Sequence, residues 1–119
     1  MPKMNLEVKM EILHQRLNRH HQVKGSILLR DNGLHISSKI PSDMPEGRTL
    51  SAYLANVWRK IYRVNELEEG AFQMTDGTQI HLKHIPSKKI ILTTLSKDAD
   101  DRSLKEIMNH YSSLFQNIL

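Results

Sequence analysis

Histidines are the residues of this sequence whose chemistry is most open to interpretation. There are seven of them, and an imidazole can ligate a metal, move a proton or simply lie at the surface. His14 and His21 would share one face of a helix, with His20 beside them, and His81 and His84 would lie on opposite faces of one strand. Because no HExxH or comparable spacing occurs, we expect no metal site. We interpret these histidines as surface residues that could make binding respond to pH at about 6–7.

The other patterns that would indicate catalysis are missing from the sequence. No P-loop and no GxGxxG motif occurs, so we expect no nucleotide bound by this chain itself. No serine lies in a nucleophile elbow. Three carboxylates cluster before a predicted strand, at Glu66, Glu68 and Glu69, and we interpret them as part of a solvated loop. We therefore predict no catalytic residue, no cofactor and no enzymatic activity.

Positive charge is the second feature that could specify a ligand. The chain has 17 Lys and Arg against 13 Asp and Glu, a formal net charge of +4 and a sequence pI of about 9.5. Such a balance favours nucleic acid or an acidic membrane as a partner, but the basic residues are scattered and no run reaches five. The densest groups are Arg16 with Arg19, Arg59-Lys60 with Arg63, and Lys83 with Lys88-Lys89. A basic module that binds nucleic acid or acidic membrane is therefore the alternative function.

The composition is that of a soluble globular chain. Hydrophobic residues make up 39% and charged residues 25% of 119 residues, enough for one core. No apolar stretch approaches the roughly 20 residues of a membrane span, and charges interrupt residues 1–17, unlike a signal peptide. The lack of cysteine excludes disulfides and suits a reducing compartment. We expect one cytoplasmic domain over 1–119, with an N-terminal helix in 1–22 and a core in 23–119.

Hydrophobic periodicity predicts the element order α-β-β-α-β-β-β-α. The first helix carries an apolar stripe from Leu6 to Leu17 and ends before Gly25, and the last follows a cap at Asp98, Asp100 or Asp101. The strands are predicted over residues 26–30, 34–40, 69–75, 78–84 and 89–95. Asp31-Asn32-Gly33 and Asp76-Gly77 are the turn signatures of two hairpins.

The strands should form one antiparallel sheet, because consecutive strands usually pair and the two most apolar strands, the first and the fifth, should be central. The predicted order is 2-1-5-4-3 with three helices on the faces of the sheet, an α/β (α+β) architecture. The third strand is then an exposed edge that carries Phe72 and Met74 and no lysine or proline. Such an edge is a liability unless another chain pairs with it.

The helix predicted over 46–64 has a wider apolar surface than one core needs. Its apolar positions cover about half of the circumference, against the ~100° stripe of a helix on a single core. The excess indicates a second contact surface next to the exposed edge strand. Tryptophan and tyrosine are favoured contact anchors, so we expect Trp58 at the interface. The predicted dimer interface comprises Tyr53, Leu54, Val57, Trp58, Ile61, Tyr62, Phe72 and Met74.

Three segments together resemble a known family, the roadblock/LC7 domains, which include dynein light chains. Residues 25–38 (GSILLRDNGLHISS) resemble the opening hairpin of that family. Residues 76–82 (DGTQIHL) resemble its strand after the long helix, and residues 90–100 (IILTTLSKDAD) resemble its last strand and the loop that follows. The resemblance covers about residues 23–118.

The resemblance implies functions that composition and spacing do not indicate. It implies a dimer of this chain with itself or with a paralogous roadblock-like chain, joined through the second helix and the third strand into one continuous sheet. It also implies a non-catalytic scaffold or regulator of a small Ras-like GTPase, or a light-chain adaptor on a motor or membrane complex.

Overall fold

The computed structural model describes residues 5–20, 22–44, 46–64 and 68–119. His21, which we predicted on a helix face, lies outside these residues, as does Glu66. The predicted element order is confirmed. The elements are α1 (Leu6–Asn18), β1 (Val23–Arg30), β2 (His35–Lys39), α2 (Gly47–Tyr62), β3 (Glu69–Gln73), β4 (Thr78–Ile85), a 3-10 turn (Pro86–Lys88), β5 (Ile90–Lys97) and α3 (Asp101–Ile118).

The five strands form one antiparallel sheet in the order β2-β1-β5-β4-β3, which confirms the predicted topology. Seven of the eight residues of β5 are buried, because this continuous apolar and β-branched strand has a strand on each side and helices over both faces. β3 pairs only with β4 and ends the sheet.

Two apolar cores lie on opposite faces of the sheet. Successive side chains of a strand point to opposite faces, so in β1 Leu28 belongs to one core while Ile27 and Leu29 belong to the other. α1 and α3 cover the first core, and α2 covers the second. The first core includes Met10, Leu13, Leu17, Leu28, Leu92, Leu104, Met108 and Phe115. The second comprises Ile27, Leu29, Leu54, Ala55, Trp58, Leu82 and Ile91.

Both predicted tight turns are present. Gly33 has a φ of 99° and Gly77 a φ of 90°, a backbone region that side chains other than glycine disfavour. In each turn the preceding side chain accepts a hydrogen bond two residues ahead, from Leu34 N to Asn32 Oδ1 and from Thr78 N to Asp76 Oδ1. These two turns join β1 to β2 and β3 to β4, the two hairpins of the sheet.

The prediction that Gly25 terminates the first helix is wrong. α1 ends at Asn18, and Gly25 lies inside β1, next to an irregularity in the pairing with β5. A Cβ atom at Gly25 would lie 3.1 Å from Ile40 Cγ2 and 3.2 Å from Pro41 Cδ. The glycine therefore allows the chain that leaves β2 to pass close to β1, a role that glycine in a strand often has.

Side-chain caps mark the starts of α1 and α3. Of the three aspartates proposed as caps for α3, Asp100 has that role, because its carboxylate accepts hydrogen bonds from Ser103 N at 3.2 Å and Ser103 Oγ at 2.9 Å. Asn5 caps α1 in the same way through Val8 N.

Within the part of the chain that the structure describes, the helices are too short or too polar to span a bilayer.

Candidate functional site

α2 has a buried face and, beside it, a second apolar face in solvent. The buried face consists of Ser51, Leu54, Ala55 and Trp58, together with Gly47 at the start of the helix. Their spacing of three and four residues places them on one side of the helix, against the sheet. The second face is the α2 stripe, which we define as Tyr53, Val57 and Ile61 of the helix together with Val64 just beyond its end, all exposed.

A groove runs between α2 and the edge strand. This edge groove has a volume of about 140 Å³ and is lined almost entirely by apolar side chains and backbone. Val57 and Ile61 of the α2 stripe form one wall, and Phe72, which is exposed, forms the other. Gly70 lies in the floor, and a Cβ built there would meet nothing within 4 Å. The α2 stripe, the groove and β3 are therefore one continuous surface.

The outer edge of β3 has no strand beside it in the described part of the chain. The pairing with β4 runs from Glu69 opposite Lys83 to Gln73 opposite Gln79. Paired residues point to the same face, so Gly70 and Phe72 lie on the α2 side and Ala71 lies on the α3 side. No lysine or proline interrupts the strand, which leaves its edge open to a further strand.

The α3 side of β3 differs in character from the α2 side. Lys105 Nζ of α3 lies 2.8 Å from Glu69 Oε1, and this hydrogen bond lowers the pKa of the Glu69 carboxyl below its usual range. His81 Nε2 lies 3.6 Å from Asp101 Oδ1. These two pairs flank a cavity of about 320 Å³. A partner strand along β3 would therefore meet the apolar edge groove on the α2 side and, on the α3 side, a cavity with paired polar side chains around it.

Six of the eight residues predicted at a dimer interface are exposed, but Leu54 and Trp58 are not. The exposed six are Tyr53, Val57, Ile61, Tyr62, Phe72 and Met74. Leu54 is 8% and Trp58 3% exposed, and both belong to the core under α2. Whether the other six touch a second chain stays a prediction.

Small residues explain why Trp58 faces inward. Ser51 and Ala55 on the same face are fully buried, so α2 lies close to the sheet and the large indole fills the remaining space. Its ring lies 5.4 Å from the imidazole of His84. A stripe drawn through the large apolar residues alone, Leu50, Leu54, Val57 and Ile61, misses Ser51 and Ala55. The spacing of Ser51, Leu54, Ala55 and Trp58 was the signal for the true buried face.

No protein-family model matches the chain, and no curated protein sequence matches it. Solved protein structures do match the chain. Myxococcus xanthus MglB is 15% identical with a TM-score of 0.78, covering 100% of this chain and 96% of that one. The gliding protein MglB of Thermus thermophilus is 12% identical with a TM-score of 0.81, covering 99% and 93%. A Roadblock/LC7 domain from Streptomyces avermitilis is 17% identical with a TM-score of 0.72, covering 96% and 97%. The chain is a roadblock/LC7-like domain by fold.

The roadblock/LC7-like fold arranges α2 and β3 into one surface. α2 and β3 are consecutive elements, and the fold places the exposed side of the first against the open edge of the second. At identities of 12–17% these likenesses establish the architecture. Among the residues that the structure describes, no group of three or more His, Asp and Glu side chains is arranged to hold a metal ion.

Two histidines of the roadblock/LC7-like domain are buried, so the interpretation of all seven as surface residues is wrong. His84 lies under α2 with its Nε2 3.4 Å from Asp31 Oδ2. His14 of α1 is 1% exposed and packs against Phe115. Hydroxyls from two strands complete the surroundings of His14, and no pattern within α1 itself indicates them.

Both ring nitrogens of His14 have hydrogen-bond partners. Nδ1 lies 2.7 Å from Ser26 Oγ and Nε2 lies 2.7 Å from Ser37 Oγ. The Ser26 hydroxyl donates to Asn18 Oδ1 at 2.8 Å, so it accepts from His14 Nδ1–H, and Ser37 then donates to Nε2. Burial, with the nearby charges of His35 and Lys39, lowers the pKa of His14 from 6.5 to about 4. His14 is thus a neutral structural residue that ties α1 to β1 and β2.

The lowered pKa of His14 predicts that acid destabilises the fold. Below pH 6.5 the unfolded chain takes up a proton at His14 and the folded chain does not, so stability falls as the pH drops from 6.5 towards about 4. The loss is about 1.4 kcal/mol per pH unit, roughly 3 kcal/mol over the whole interval. Urea unfolding at several pH values measures it. His14→Gln should flatten this dependence, whereas the control His110→Gln, on an exposed position of α3, should leave it unchanged.

Proposed function

We propose that this chain forms a dimer through the α2 stripe, the edge groove and β3, and that the dimer is a non-catalytic cytoplasmic scaffold or regulator of a small Ras-like GTPase. The partner in the dimer is a second copy, with a paralogous roadblock-like chain as the alternative. The observation that carries this proposal is the continuity of an exposed apolar helix stripe with an unblocked strand edge.

The physical argument for a dimer is that one partner would satisfy both features of this surface. A contiguous exposed apolar patch favours association, and full burial of a large apolar side chain contributes about 1.5–3 kcal/mol. The open edge of β3 offers unpaired backbone donors and acceptors. A second copy related by a twofold axis would supply another β3 and another α2 stripe together, since the same surface is used on both sides of such an interface.

The expected geometry follows from the pairing of β3 with itself. Antiparallel β3 strands centred near Ala71 would extend the sheet across both copies. Phe72 and Gly70 point to the α2 side, so the two α2 stripes would pack together over them. The open space above Gly70 would receive side chains of the second copy. The charged pairs of Glu69 with Lys105 would stay on the opposite, solvent-facing side.

The GTPase part of the proposal is supported by the resemblance of the sequence to roadblock/LC7 domains and by the shared fold. In this arrangement the dimer creates a platform that one copy lacks, and the GTPase binds to that platform. The chain supplies binding surface and no reacting group, which accords with its lack of catalytic motifs.

A nucleotide-dependent capture experiment tests the GTPase proposal. The tagged chain is immobilised in extract from its native cells, once with GTPγS and once with GDP, and bound proteins are identified by mass spectrometry. The proposal expects a small Ras-like GTPase whose recovery depends on the nucleotide and falls for the Val57→Glu variant. Recovery of no such protein, or equal recovery with both nucleotides and with the variant, would contradict it.

The alternative of nucleic-acid binding has less support from the structure. Single-stranded nucleic acid is usually bound by aromatic side chains on an exposed sheet face. Here helices cover both faces, and Phe72, at the edge, is the only Phe, Tyr or Trp of the five strands. A basic surface nevertheless exists at one end of the sheet.

A further inference from the structure

The positive charge that is scattered along the sequence converges at one end of the sheet. Arg30 closes β1 opposite Ile90, and Asp31 N donates to Lys89 O at 3.0 Å. Arg59 reaches the same turn, where it lines a cavity together with Asp31. We call this region the basic end, and it comprises Arg30, Arg59, Lys60, Arg63, Lys88 and Lys89.

The cations of the basic end are available to bind a partner. All six side chains are exposed, and none forms an ion pair with an acidic side chain in the described part of the chain. The two described acids nearby are already engaged, Asp31 by His84 and Glu68 by Lys83, each at 3.4 Å. Six positive charges exceed the net +4 of the whole chain, so the other residues together are net negative. The molecule is therefore electrostatically polarised.

A cavity opens beside Arg59 of the basic end. It has a volume of about 240 Å³ and lies between the last turns of α2 and the β1–β2 turn. Its walls include the rings of Trp58, Tyr62 and His84, which pack on one another with centroid distances of 5.4 and 6.0 Å from the imidazole. An aromatic-walled cavity of this size suits one apolar side chain.

We propose that the basic end binds an acidic segment of another protein, with one apolar side chain of that segment in the cavity and its carboxylates on the surrounding cations. The arginines offer bidentate hydrogen bonds to carboxylates, and the concentrated charge speeds encounter with an acidic partner.

A protein partner is favoured over a membrane or a nucleic acid because of the cavity. Arg59 lines the cavity, and further cations stand at the end of β1 and at the 3-10 turn, so a segment with one inserted apolar side chain and flanking carboxylates would use both features. A lipid headgroup or a duplex backbone supplies phosphates but no apolar anchor for an aromatic-walled cavity. The proposal does not depend on dimer formation, because every residue of the basic end comes from one copy.

Trp58 provides the readout, since it is the only tryptophan of the chain and lines the cavity. The probe is the blocked peptide Glu-Glu-Asp-Phe-Glu-Glu-Asp, and its binding is followed by tryptophan emission and by calorimetry. A second peptide has serine in place of phenylalanine. Arg59→Glu with Arg63→Glu changes the basic end. Lys24→Glu with Arg102→Glu, both on exposed positions elsewhere, makes the same change in net charge.

The proposal expects the phenylalanine peptide to change Trp58 emission and to bind more tightly than the serine peptide. Arg59→Glu with Arg63→Glu should weaken binding about tenfold or more, and the control pair should alter it less than about twofold. Absence of binding, equal weakening by both pairs, or equal affinity for both peptides would overturn the proposal. So would tighter binding to a short DNA duplex or to vesicles of phosphatidylserine and phosphatidylcholine. None of these results bears on dimer formation, which is tested separately by measuring the mass of the protein in solution.

Discussion

The Trp58→Glu substitution is expected to unfold the chain, although the sequence pattern alone placed this residue at an interface. Trp58 is 3% exposed and lies in the core with Leu54 and Leu82. Loss of a buried tryptophan costs about 3–5 kcal/mol, and an unpaired buried carboxylate costs several more. A domain of this size has roughly 5–15 kcal/mol of stability in total. Far-UV circular dichroism and urea unfolding measure the outcome.

A conservative change at the same position separates the effect of lost packing on stability from the effect of a buried charge. Trp58→Phe keeps an aromatic ring and adds no charge, so it should leave the chain folded with a lowered urea midpoint. If Trp58→Glu instead had the urea midpoint of the unmodified chain and differed from it only in its state of association, Trp58 would not belong to the core of one copy.

The Val57→Glu substitution, one residue away, is expected to give a folded single copy. Val57 is 40% exposed, and changes at such surface positions usually alter stability by less than about 0.5 kcal/mol. In the proposed dimer the same carboxylate would be buried between two apolar stripes, at a cost of about 2–5 kcal/mol or more. Size-exclusion chromatography with light scattering should therefore show the mass of one copy, with an unchanged circular dichroism spectrum.

Val8→Glu is the matched control for this experiment. Val8 is also a valine on a helix and is also 40% exposed, but it lies on α1, which covers the opposite face of the sheet. The control should keep the mass of the unmodified chain. Equal loss of association in both variants would indicate a general effect of charge, and would remove the α2 stripe as the interface.

The sheet could be predicted from the sequence because its determinants are local. Turn signatures at Gly33 and Gly77 set the two hairpins, and the continuous apolar run of β5 indicated a central strand. The rotation of α2 could not be predicted in the same way. It depends on how closely Ser51 and Ala55 let the helix approach the sheet, which hydrophobicity does not record because neither residue is strongly apolar.

The remaining features depend on contacts between distant segments. His14 resembled a surface histidine because the hydroxyls that bind it, on Ser26 and Ser37, come from two strands. The basic end joins charges near residues 30, 60 and 88, which become neighbours only through the pairing of β1 with β5 and the docking of α2. Runs of charge along the sequence therefore give too small an estimate of the charge at the basic end.

Sedimentation equilibrium of the unmodified chain tests the central claim, that the α2 stripe and β3 form an interface with a second copy. The mass of one copy is 13.8 kDa. We expect the measured mass to approach twice this value as the concentration rises. A mass of one copy at every concentration, up to the highest at which the protein stays in solution, would contradict the claim.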